Sequence, residues 1–174
     1  MGYARCKDKT RAKADREADR AETPAHAGES GEGVIMGQVK VQVTLANVRE
    51  LAMSQLGHLA PEAVHTCQVE ALIDTGTLRS VVPPAVADAL GLLRLRRSEA
   101  QMADGRWGEV DVCEPVQVRM VAGIERRHEE SMLVMGETLL LGAMVLEGMD
   151  LLVDCARQQL VPNVGTLYQP VFRV

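Results

Sequence analysis

Aromatic residues are almost missing: one Trp, two Tyr and one Phe in 174 residues. The core must therefore be built from Val, Leu, Ile, Met and Ala, and a hydrophobic content of 47% suffices for one domain with an N-terminal segment to spare. Cysteine is sparse and scattered. Cys6, Cys67, Cys113 and Cys155 form no C-x-x-C pair, a spacing that suits reduced thiols and a cytoplasmic compartment. His26, His58, His65 and His128 lack metal-ligand spacing, and His65 with Cys67 on one strand gives two ligands where zinc needs more. The expectation is no metal and no cofactor. No basic block accompanies the net charge of −5, which argues against nucleic acid as the main partner. No apolar run reaches the ~18 residues of a membrane span. The basic N-terminus has no apolar stretch behind it, so no secretory signal is expected.

What is present divides the chain in two. Residues 1–35 hold seven Lys/Arg and seven Asp/Glu, so the net charge belongs to residues 36–174. Arg11 to Glu22 has no apolar stripe, and Thr23 to Gly33 has linker composition; the segment is read as disordered. Gln38 to Leu45 alternates strictly and predicts a half-buried strand. A short helix or long loop follows to Thr66. Gln68 to Ile73 reads as a second strand and Ser80 to Val82 as a return strand. Pro83-Pro84 opens a short helix that Gly91 stops. Asp104-Gly105 between two extended runs predicts a hairpin, with Trp107 beyond its tip. Trp107 either covers a bound peptide or packs on its own hairpin. Val116 to Val121 and Glu129 to Met135 predict two strands, with Gly123 and Glu125-Arg126-Arg127 between them as the turn. Thr138 to Leu141 ends at Gly142 and a short helix. Leu151 to Asp154 and Gln159 to Pro162 form a closing hairpin, Asp154 serving as a turn residue.

One acid is out of place. Asp74 follows the apolar run Val69, Ala71, Leu72, Ile73, where burial of an unpaired carboxylate costs several kcal/mol. Thr75 and Thr77 supply hydroxyls, and Gly76 a backbone free of Cβ. Asp74-Thr75-Gly76 is either a strand-ending turn or the core of a site. The run Leu72-Ile73-Asp74-Thr75-Gly76-Thr77-Leu78-Arg79-Ser80 resembles the signature of aspartic proteases. Residues 36–163 look like the retroviral-type, retropepsin-like enzymes (clan AA), especially their small cellular and bacterial relatives.

The resemblance implies a mainly β fold: a retropepsin-like closed β-barrel or sandwich with one or two short helices. It implies Asp74 as the catalytic acid. Thr75 would bond across a subunit interface, Gly76 would keep its amide available, and Thr77 would support its own Asp. Asp104, Gly105 and Trp107 would belong to a flap, and Gly142 would pack behind the catalytic loop. Residues 167–174 would join a dimer sheet. The flap tip departs from the family in lacking a glycine-rich apolar sequence, and the connection between the first two strands is long.

Peptide hydrolysis of this kind needs two carboxylates at hydrogen-bond distance, sharing one proton and one water. The chain has one Asp-Thr-Gly, so a second copy must supply the other acid, and a two-fold homodimer does so. The expected function is an aspartic-type endopeptidase acting on a protein or peptide. A non-catalytic retropepsin-like dimerisation or peptide-binding module, and an unrelated small ligand-binding β-barrel, are the alternatives.

Overall fold

The computed structural model describes Arg5–Cys6 and residues 38–102, 105–122 and 124–163. The described residues form ten strands, β1 to β10, three short α-helices and one 3-10 turn. The alternation of Val39, Val43 and Leu45 builds β2 (Val39–Asn47), which pairs antiparallel with β3 (Thr66–Ile73), Val39 opposite Ile73 and Ala46 opposite Thr66. Between them lies α1 (Val48–Gln55), whose first turn is capped by the Asn47 side chain accepting from the Glu50 amide. A 3-10 turn at Pro61–Ala63 completes this long connection.

Beyond β3 come β4 (Val81–Val82) and α2 (Pro84–Ala89), with proline in the first helical turn and Gly91 at φ +63° just past the end. The hairpin of β5 (Arg94–Gln101) and β6 (Trp107–Ala122) follows, then β7 (Ile124–Val134), β8 (Leu139–Leu141) and α3 (Ala143–Gly148). The chain as described closes with the separate hairpin β9 (Leu151–Asp154) and β10 (Gln159–Pro162). In its turn, Asp154 accepts from the Arg157 amide and guanidinium at 2.9 Å each. The amide first, then the guanidinium, holds the Asp154 carboxyl below the ordinary carboxylate range.

Six strands close on themselves in the order β3-β2-β6-β7-β4-β8, with β8 returning to β3 in parallel. The closed β-barrel expected from the sequence is therefore present, and the interior is aliphatic: Leu45, Val82, Val116, Val118, Met132, Leu139 and Leu141 are fully buried. No helix among the described residues is long and apolar enough to cross a membrane.

Three details depart from the sequence reading. The stretch read as a hairpin arm and a separate strand is the single 16-residue β6. Its register slips between Val112 and Pro115, where its neighbour on one edge changes from β5 to β2. Pro115, which has no amide N–H to give, is the first residue back in register after the slip, opposite Ser131. Glu125-Arg126-Arg127 is not a turn: these residues pair with Val121, Met120 and Arg119, because Ala122 already faces Ile124. Within the segment read as disordered, β1 (Arg5–Cys6) pairs with β3. The short β8 covers only Ala71 to Ile73 of that edge, so β1 lies against backbone that would otherwise be unpaired.

Candidate active site

Asp74 stands where β3 leaves the barrel. Its amide donates to the Leu141 carbonyl at 3.0 Å, extending the β3–β8 ladder by one bond beyond the last strand residue. The chain then turns on its own groups. The Thr77 amide and hydroxyl donate to the Asp74 carbonyl at 3.3 and 3.1 Å, and the Gly76 amide donates to Asp74 Oδ1 at 2.9 Å. Thr77 thus supports Asp74 through its backbone carbonyl rather than its carboxylate, and the Gly76 amide is engaged rather than available. Asp74 is half-buried, while Thr75 and Gly76 are exposed.

The second wall of the site is the start of α3. Ala143 and Met144 donate their amides to the carbonyls of Thr77 and Leu78 at 2.9 and 3.2 Å. A Cβ on Gly142 would lie 2.7 Å from the Leu78 carbonyl oxygen and 2.9 Å from both the Thr77 oxygen and the Arg79 carbonyl carbon. All three neighbours are backbone, so only glycine permits this approach. Gly142 thus packs against the backbone of the loop that follows Asp74.

Sequence reasoning gave Ser80 no role. It is fully buried, its hydroxyl accepts from the Gly142 amide at 3.1 Å, and its carbonyl accepts from Leu133 at 3.0 Å. One residue thereby ties the loop to β7 through its carbonyl and to the Gly142 backbone through its hydroxyl. Its place at the end of the Asp-Thr-Gly signature was the available signal. Arg79 adds a bond from Nη1 to the Ser131 carbonyl at 3.3 Å.

Around the acid the surface is open and partly apolar. Leu78 is 68% exposed, and Met144, one hydrogen bond away, is also exposed. No cation among the described residues pairs with Asp74, and the Gly76 amide is the one described donor to its carboxylate. The remaining oxygen is left to solvent or to a partner group.

The hairpin expected as a flap is formed by β5 and β6. Gly105 takes φ +81° at its tip and donates to the Met102 carbonyl at 2.8 Å, while Met102 donates to Arg106 at 2.7 Å. Asp104 lies outside the described residues, as do residues 167–174. Trp107 pairs with Gln101 and is 67% exposed, so it is not packed into its own hairpin. By strand alternation it shares a face with Glu109 and Asp111, which meet Arg97 at 3.4 and 3.7 Å. The opposite face carries the buried Val110 and Val112.

Two polar groups elsewhere have structural partners. His65, considered beside Cys67 as a ligand, instead directs Nδ1 to Glu50 at 2.8 Å. Glu114 is buried and accepts from Asn47, the Arg49 guanidinium and the Leu93 amide. Its bond lifts the Arg49 guanidinium above its ordinary range. A groove of about 590 Å³ crosses β2, β6 and β10, lined by residues such as Lys40, Gln42, Arg119 and Gln159; none of its lining residues belongs to the Asp74 loop.

No family model matches the chain, and no curated protein matches it.

Proposed function

We propose that the protein is an aspartic-type endopeptidase of the retropepsin-like kind, acting as a homodimer with one Asp74 from each subunit. The observation that carries this reading is the way Asp74 is held. Its amide is fixed by the Leu141 carbonyl and the loop that follows it is pinned by Gly142 and Ser80, yet Asp74 is half-exposed and no cation among the described residues pairs with it. An acid kept for stability is ordinarily paired or fully capped. An acid held rigidly and left open is placed for proton transfer.

In the proposed dimer, two such loops meet across a two-fold axis. The paired carboxylates hold one proton. The ionised one takes a proton from the water that attacks the peptide carbonyl, and the protonated one donates to the carbonyl oxygen. The exposed Leu78 and Met144 offer apolar surface beside the acid, for the second subunit or for substrate side chains. The β5–β6 hairpin is the element that would cover the peptide.

The test is hydrolysis of a peptide mixture from acidic to neutral pH by wild type and by Asp74→Asn. Cleavage by wild type, reduced about a thousandfold or more in the variant, is expected. Equal cleavage by both, or cleavage by neither, removes the peptidase assignment.

A further inference from the structure

Beyond Thr44 and Arg119 the barrel wall parts. β2 and β6 pair from Thr44 opposite Arg119 to Asn47 opposite Val116, and no further. From there β6 stays with β7 as far as Ala122, while β2 stays with β3 as far as Val39. Residues 39–43 of β2 thus keep one edge that no described strand pairs with. The groove of about 590 Å³ lies along this edge, and its volume is that of a ligand cleft. It follows β2 from Lys40 to Thr44, about 13 Å of extended chain.

The groove has three kinds of wall. Its floor is apolar, since Val43, Met120 and Leu160 belong to the buried core. Its sides carry four side-chain amides, Gln42, Gln68, Gln158 and Gln159, each able to donate and to accept. Gln158 is held at φ +52°, a left-handed conformation that residues other than glycine seldom take. The third wall is cationic. Arg119 stands directly opposite Arg127 on the β6–β7 ladder, and both are exposed. Like charges so placed repel. Neither guanidinium has an ion pair among the described residues. Lys40 is already partnered by Glu70 at 3.1 Å, and Glu125 is the one acid in the described lining.

We propose that this groove binds an extended peptide segment of a partner protein, added to the free edge of β2, with an acidic side chain seated at Arg119 and Arg127. An open strand edge presents main-chain N–H and C=O groups in series, and another extended chain satisfies them in series. Alternate side chains of that segment reach the apolar floor, and the glutamine amides meet its remaining peptide groups. A carboxylate between the two guanidiniums removes their repulsion and gains charge-assisted hydrogen bonds. Sugars and nucleobases fit less well, because no aromatic ring lines the groove for them to stack on. The groove shares no residue with the Asp74 loop, so this binding does not rest on peptide hydrolysis.

The experiment uses the full-length protein carrying Asp74→Asn, so that no probe is cut. The probes are two pools of short labelled peptides: Val or Thr alternating with Glu, and the same with Gln in place of Glu. Fluorescence anisotropy should show the Glu pool binding at least about tenfold more tightly than the Gln pool. Arg119→Gln and Arg127→Gln should each weaken the Glu pool about fivefold and leave the Gln pool unchanged. Both arginines are exposed, so each variant should melt no lower than its parent. Amide NMR shifts should appear along residues 40–44 of β2. Binding of neither pool, or equal binding of both, would overturn the proposal. So would shifts confined to the Asp74 loop and the β5–β6 hairpin, or displacement of the Glu pool by an equal concentration of decanoate.

Discussion

Gly142 shows how much one missing methyl group can decide. With backbone atoms 2.7–2.9 Å from its would-be Cβ, Gly142→Ala must push the Asp74 loop away from α3. Overpacking against backbone that cannot rotate aside should cost about 3 kcal/mol, read as a lower urea midpoint at unchanged slope. The same substitution at Gly136, whose would-be Cβ meets nothing within 4 Å, tests left-handed backbone strain alone and should cost about 1 kcal/mol. Glu130 is the opposite case. It is 6% exposed on the core side of β7, and neither carboxylate oxygen has a hydrogen-bond partner. A polar group buried in this way opposes folding, so Glu130→Met should raise stability by about 1–2 kcal/mol in the same titration. A loss of stability there would mean that the carboxylate has a partner it does not meet in this structure.

Among the elements, the β6 corner organises the rest. Glu114 sits where β6 passes from β5 to β2, and its carboxylate gathers Asn47, Arg49 and the Leu93 amide into one buried cluster. That cluster joins the cap of α1 to the base of the β5–β6 hairpin. Glu114→Ala should strand several donors and cost about 3–5 kcal/mol, measured by thermal or urea unfolding. Glu114→Gln should cost less, since one amide oxygen still accepts. The strands at this corner were only partly legible in the sequence. β2 could be read from the alternation of Val39, Val43 and Leu45, and α2 from Pro84 and Gly91, because those signals are local. The unbroken course of β6 could not, since Glu114-Pro115 has the composition of a break. What keeps the strand running is a set of partners 21 to 67 residues away in sequence. The turn placed at Glu125-Arg126-Arg127 failed for a related reason: charge suggested solvent, yet the long β6–β7 ladder continues through those residues.

For the whole molecule, the closed ring leaves Asp74 at one rim with its loop pinned and its carboxylate uncovered. The acid, the turn around it and Gly142 were legible because a self-bonded turn and a backbone approach this close allow few residue types at each place. Ser80 was harder to see, since a lone serine gains its meaning only from Gly142, 62 positions downstream. One barrel carries one such acid, and the proposed chemistry needs two, so the account stands on how two copies meet. The most direct measurement is the separation of the two Asp74 carboxyl groups in a crystal structure of the full-length protein. The account predicts a two-fold dimer with these groups about 3 Å apart, within hydrogen-bond reach. A monomer, or a dimer whose Asp74 carboxyls face separate regions of solvent, would contradict it.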